Sequence, residues 1–193
     1  MFNVRIHGRG GQGAVTSAEM LSVAAFDEGL HAQAFPSFGS ERTGAPVVAF
    51  CRIDDEAIRA HDPITEPDAV IVQDPTLLHL VPVFAGISAG GYVLVNTSRP
   101  FEELMIHDLV DGLDPHRLVT VPATELSRTR LGRAMPNTAL LGGFAALTGL
   151  VSLESVQRAI RQRFAGDVAE ANAEIAASAY DHVREATGSH DHA

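Results

Sequence analysis

Six residues near the start of the sequence, Gly8-Arg9-Gly10-Gly11-Gln12-Gly13, constrain its fold more than any other stretch. Phe2 to His7 alternates apolar and polar side chains, the pattern of a half-buried strand. From Ala14 to Phe26, the residues Ala14, Ala18, Leu21 and Ala25 share one helical face. The chain therefore opens as strand, glycine loop and helix. Glycines let such a loop turn sharply and bring backbone close to a phosphate, while unpaired N–H groups of the first helical turn point at the anion. Gly8, Gly10 and Gly13 match the G-x-G-x-x-G spacing of dinucleotide sites, a short pattern that also fits a tight turn binding nothing. A nicotinamide site further wants an acid about 20 residues past the glycines, to hold the ribose. The second extended run, His31 to Phe38, contains no acid, and the next is Glu41. The loop reads as a site for a phosphate of another kind.

At 193 residues with 46% apolar side chains, the sequence supports one globular domain with a substantial core. A formal charge of −10 argues against nucleic acid, which selects a basic face. All 14 Lys and Arg positions are arginine, which excludes lysine Schiff-base chemistry and a P-loop lysine. The single cysteine, Cys51, excludes an intrachain disulfide and a cluster held by four thiolates of this chain. Its place in the apolar run Pro46 to Cys51 marks a buried structural thiol. No leader pattern precedes the first strand and no apolar run is long enough for a bilayer, so the expectation is a cytoplasmic chain without membrane contact.

Alternating short apolar runs and helical patterns define an α/β fold: a Rossmann-like, mostly parallel sheet with helices on both faces. The first helix closes at Gly29. His31 to Phe38 and Ala45 to Ile53 form a projecting hairpin whose polar loop, Gly39 to Gly44, is either a solvated turn or a functional one. Asp68 to Gln73 is a covered strand, followed by Asp74-Pro75 as a helix cap leading into Thr76 to Val81. Tyr92 to Val95 is another strand, ending at Asn96-Thr97, where open α/β sheets place ligands and where a simple turn is the alternative. Glu102 to Asp114 carries five acids and reads as a solvated face rather than a metal site. Leu118 to Val121 is a brief strand, and Thr124 to Leu131 a helix.

Ala134 to Leu153 has no charge and reads as a helix buried on most sides, with Gly142-Gly143 letting another backbone close in. It belongs either at the centre of the sheet's cover or at a subunit interface, and its apolarity argues for a permanent partner. Ser152 caps the next helix, to about Phe164, and Asp167 to Glu185 is a third with Val168, Ala171, Ile175, Ala179 and Val183 inward. The expected domain spans 1–186, with 187–193 a flexible tail holding His190 and His192. No catalytic triad, activated thiol or metal-ligand spacing stands out.

Taken together, His7 to Thr16, Ala34-Phe35-Pro36, Glu41 to Val47 and Val72 to Thr76 resemble one family. It is the gamma subunit of the 2-oxoacid:ferredoxin oxidoreductases, of which pyruvate:ferredoxin oxidoreductase is the best known. The resemblance covers nearly the full chain, with Asn137 to Gly149 similar to the family's closing helix. It implies a multisubunit enzyme whose alpha, beta and delta-type partner chains hold thiamine diphosphate, magnesium and 4Fe–4S clusters. A 2-oxoacid and coenzyme A become acyl-CoA, carbon dioxide and reduced ferredoxin, and this chain alone is inactive and holds no cofactor.

The gamma subunit's implied part is to complete the coenzyme A site, with no catalytic residue or metal of its own. Gly10, Gly11, Gln12 and Gly13 would cradle the pyrophosphate, Arg9 and Arg42 would add charge, and Ser40, Thr43, Asn96, Thr97 and Asn137 would form polar walls. A related enzyme acting on indolepyruvate, phenylglyoxylate or a branched-chain 2-oxoacid, with an NAD-reducing subunit, is the first alternative. A free-standing nucleotide-binding regulatory module is another. A stand-alone dehydrogenase is disfavoured by the missing acid after the second strand.

Overall fold

A computed structural model of the chain describes residues 1–37, 43–60 and 62–188. Ser40, Arg42 and most of the Gly39 to Gly44 loop lie outside the described residues, as do His190 and His192 of the expected tail. Six strands form one sheet: β1 (Phe2–Arg9), β2 (His31–Pro36), β3 (Pro46–Asp54), β4 (Ala69–Val72), β5 (Tyr92–Asn96) and β6 (Leu118–Val121). Their order is β2-β3-β1-β4-β5-β6. β1, β4, β5 and β6 run parallel to one another, while β3 is antiparallel to both β1 and β2. The expected hairpin, β2 with β3, is therefore paired to the side of β1 away from β4, with β2 at the sheet edge.

Among the described residues are five α-helices: α1 (Ala14–Asp27) between β1 and β2, and, after β6, α2 (Ala123–Leu131), α3 (Asn137–Thr148), α4 (Leu153–Arg163) and α5 (Gly166–Gly188). Strand alternation sorts the core into two layers. Val4, Ile6, Ile71 and Leu94 point to one face and join Leu21, Leu140, Phe144 and Ile160 from the helices. Val70, Val72, Val93 and Val95 point to the other face and pack on Leu77, Val83, Leu104 and Ile106. That second layer is built from 3-10 turns, Pro75–His79 and Phe101–Leu104 among them, so helices cover both faces but unequally. Asp74 does cap Pro75, but the turn it starts is a short 3-10 helix rather than the longer helix read from Thr76 to Val81.

Three readings of the sequence need correction. Arg5 and His7 are not on a wet face: they are 7% and 6% exposed. Residues 80–87 fold over them, and Arg5 Nη2 donates to the carbonyls of Val83 and Ala85 at 2.9 and 2.6 Å. Burial, then the neighbouring Arg5 charge, lowers the His7 pKa to about 4. Val168 is exposed rather than inward, because the next residue, Ala169, takes the buried position in the first turn of α5. Thr187 and Gly188, assigned to the tail, end α5.

The charge-free stretch also finds its partner inside the chain. Residues Asn137 to Ala145 of α3 are all buried. A Cβ on Gly142 would collide with the carbonyl of Ala176 in α5. Only glycine admits that approach, so α3 is the centre of the sheet's cover, and its apolarity is no argument for an outside subunit. Cys51 is fully buried, which raises its thiol pKa and leaves it inert.

Candidate functional site

β1 ends at Arg9 and hands the backbone to Gly10-Gly13, where Gly11 and Gly13 take φ of 94° and 80°. Gly13 is the N-cap of α1 in the left-handed region, a conformation glycine adopts without strain. No side chain caps α1, and its first turn contains no acid. Its unpaired N–H groups are open to an anion, and its dipole favours one.

The family resemblance gives Arg9 and Gln12 to a phosphate, and both also make bonds within the protein, Arg9 while lining the recess described below. Arg9 Nε donates to Asp74 Oδ2 at 3.1 Å, Nη1 to the Gly44 carbonyl at 3.0 Å and Nη2 to Thr76 Oγ1 at 2.7 Å. Gln12 Oε1 accepts from the Arg9 N–H, and Gln12 Nε2 donates to the same Asp74 oxygen at 2.9 Å. The Gly10 N–H goes to the Ala45 carbonyl and the Gln12 N–H to the Arg9 carbonyl. Thus Arg9, Gln12 and Asp74 build the loop, and Gly11, Gly13 and the start of α1 are what it presents. Burial tends to raise the Asp74 pKa, but hydrogen bonds from Thr76 and Gln12 and the Arg9 charge prevail and hold it below its ordinary value.

Thr43 bridges Gly10, which brings the foot of the hairpin loop beside the glycines. Asn137, the first residue of α3, lies against Gly13: its Nδ2 would stand 3.0 Å from a Cβ there. Asn137 is 1% exposed, and its Oδ1 has no hydrogen-bond partner. α3 likewise has no side-chain cap and no acid in its first turn. Two uncapped helix starts therefore open onto one recess of about 410 Å³, whose lining includes Arg9, Gly11, Gly13, Thr16, Asn137 and Arg163.

Asn96 and Thr97 do not belong to it. They line a smaller recess at the ends of β4 and β5, where Asn96 Nδ2 donates to the Gln73 carbonyl and Thr124 Oγ1, both at 2.8 Å. The Thr124 N–H returns a bond to Asn96 Oδ1, so Asn96 is fully used in holding α2 to the sheet. A third recess of about 440 Å³ runs beside β6, but Glu102 and Glu125 on its wall would repel an anion. Among the described residues, no group of three or more His, Cys, Asp or Glu could hold a metal ion. No described helix is long and apolar enough to cross a membrane.

Reading the sequence missed Asp74 as the loop's anchor, because it lies 62 to 65 residues from its partners. It also missed that Arg163 lines the recess. The signal was present: Arg158 and Arg161 find Glu154, Asp27 and Glu170, whereas Arg163 has apolar residues at the helical neighbours Ala159 and Ile160.

Comparison with known proteins places the chain. A family model described as pyruvate ferredoxin/flavodoxin oxidoreductase matches residues 3–182. The common gamma subunit of pyruvate/ketoisovalerate oxidoreductases from Thermococcus kodakarensis is 51% identical over 183 residues, 94% of this chain and 96% of that one. A crystal structure of the pyruvate oxidoreductase subunit PORC from Thermotoga maritima superposes with a TM-score of 0.79 at 38% identity, covering 93% of this chain and 95% of that one. The 2-oxoglutarate:ferredoxin oxidoreductase of Magnetococcus marinus, solved with 2-oxoglutarate, coenzyme A and succinyl-CoA, shares the fold at a TM-score of 0.71 and 16% identity. There the match covers 96% of this chain but 31% of that polypeptide, so the same fold forms one part of a longer chain.

Proposed function

Because this chain belongs to the pyruvate ferredoxin/flavodoxin oxidoreductase family, as a gamma-type subunit of a multisubunit oxidoreductase, we propose that its own task is to bind the diphosphate of coenzyme A. The recess where α1 and α3 begin carries the reading. It offers N–H groups from two uncapped helix starts, the amide Nδ2 of Asn137 beside Gly13 as a further donor, and no acid in either first turn. A diphosphate suits that combination, since it presents several acceptor oxygens and spread negative charge. Gly11, Gly13, Thr16 and Asn137 are the residues placed to receive it, with Thr43 beside Gly10 at its edge.

In the enzyme as a whole, a 2-oxoacid is oxidatively decarboxylated to acyl-CoA and electrons pass to ferredoxin. Thiamine diphosphate, magnesium and iron–sulfur clusters belong to alpha, beta and delta-type partner chains in this reading. In this reading the present chain binds and orients coenzyme A. Pyruvate and branched-chain 2-oxoacids are both compatible substrates, because the recess faces coenzyme A rather than the oxoacid. Arg42, outside the described residues, remains a proposed contributor from the hairpin loop.

The test is coenzyme A titration of the assembled enzyme carrying Asn137→Leu. Loss of the amide should weaken binding about 10-fold, the worth of one hydrogen bond to a charged group. Unchanged affinity in a correctly assembled enzyme would remove this chain's recess from the coenzyme A site.

A further inference from the structure

We propose that the ridge from Phe101 to Arg117 is a docking surface for another subunit of the oxidoreductase, one that presents lysine or arginine around an apolar contact. The proposal does not depend on the coenzyme A reading. Because α3 is buried against α5 inside this chain, the charge-free helix is not where a partner attaches, and the attachment lies on another face.

The ridge is anchored from below. Leu104, Ile106 and Val110 are buried and join the valines of β4 and β5 in one core layer. The residues between them are turned outward, leaving Met105 85% exposed and Leu109 50% exposed. Leu80, 63% exposed, shares with Leu109 and Asp108 the lining of a recess of about 650 Å³. Single exposed apolar side chains are ordinary, but two at one recess and a third on the same ridge form a patch that association would bury. Met105 also adopts φ 55° and ψ 40°, a left-handed backbone that suits glycine, although its side chain packs on little of this chain.

Charge selects the occupant. From Glu102 to Asp114 there are five acids and no arginine. Glu102, Glu103, Asp108 and Asp111 are exposed and form no ion pair among the described residues. Elsewhere Asp27, Asp74, Glu170 and Glu174 are each matched by an arginine. A second copy of this chain would bring the same acids against them across a two-fold axis, and an anionic membrane would be repelled as well. A basic partner is what the ridge attracts, with Leu80, Met105 and Leu109 supplying the apolar contact beside the charge.

The experiment co-expresses this chain with the other subunits and follows, by native mass spectrometry on dilution, the concentration at which it leaves the enzyme. Three variants are compared with wild type: Leu80→Ser with Leu109→Ser, Asp108→Arg with Asp111→Arg, and Met105→Gly. Urea denaturation of each isolated full chain checks the fold. The two double variants should keep the wild-type midpoint, because all four positions are exposed, and should leave the enzyme at about 10-fold higher concentration. Raised salt should weaken wild-type assembly and partly restore the charge-reversed one. Met105→Gly relieves the left-handed backbone, so its midpoint should not fall while its assembly weakens, a split that a purely structural role does not produce. If all three variants stay in the enzyme to the wild-type dilution with its salt dependence, the ridge is a solvated face and the proposal is overturned. If the isolated chain is a dimer that the double serine variant separates, while assembly is unaffected, the occupant is a second copy, which overturns it equally.

Discussion

Arg9 and Asp74 are 65 residues apart and joined at 3.1 Å, which ties the glycine loop at the end of β1 to the end of β4. The contact is part-buried, and Gln12 and Thr76 converge on the same carboxylate. It turns a loop that would otherwise be free to move into a fixed platform for α1.

Asp74→Ala is expected to loosen that platform without touching ligand. Losing the acceptor for Arg9, Gln12 and Thr76 should cost about 1–2 kcal/mol of stability, at the lower end of what charge-assisted bonds give because the network is partly solvated. Coenzyme A affinity of the assembled enzyme should fall as well. Asp74→Asn, which keeps acceptor oxygen in place, should lose less on both counts. Urea denaturation and ligand titration of both variants decide it: equal losses in the two would show that charge alone matters.

Close packing of α3 on α5 makes a second claim testable. Gly142→Ala drives a methyl into the Ala176 carbonyl and should destabilise by about 1–3 kcal/mol, despite alanine's better helix propensity. At Gly143 the added carbon meets the side chains of Val121, Leu94 and Val183 at 3.2–3.3 Å, and these can give way. Gly143→Ala should therefore cost much less. Denaturation midpoints in the opposite order would contradict the packing described.

Acid sensitivity should trace to His7. Its folded pKa is lowered to about 4, while an unfolded histidine titrates near 6.5. Above about pH 6.5 both states are neutral and the full stability is present. As pH falls below that, the unfolded chain takes up a proton that the folded chain refuses, so stability declines until about pH 4, by roughly 2 kcal/mol at pH 5. Glu28 is lowered to about 2 by hydrogen bonds from Ser152 and Ser155, and its contribution is lost only at more acidic pH. His7→Gln should flatten the slope between pH 7 and 5; an unchanged slope would assign it to other groups.

What could be read from the sequence follows a physical divide. The strand, glycine turn and helix from Phe2 to Asp27 were legible because each is set by neighbours within a few residues. The same holds for the capping of α4 by Ser152, whose Oγ accepts from the Ser155 N–H. The bonds of Arg9 and Gln12 to Asp74 were not legible because that partner arrives from another strand, and a polar side chain beside glycines looks alike whether it faces ligand or protein. Asn137 was singled out on the family resemblance alone; nothing local shows that its amide would meet Gly13. α3 was legible as buried, and only the fold shows that α5 does the burying.

The central claim is that this chain serves the coenzyme A half of the reaction and no other. Stopped-flow reduction of the assembled enzyme by its 2-oxoacid, with and without coenzyme A, tests it in the Thr16→Glu variant, which places a carboxylate in the first turn of α1. The phase that needs no coenzyme A should keep its wild-type rate, while the acceleration by coenzyme A should require at least about 10-fold more of it. A variant that assembles normally, keeps its coenzyme A dependence and loses the coenzyme-A-independent phase would show instead that the recess serves the decarboxylating centre.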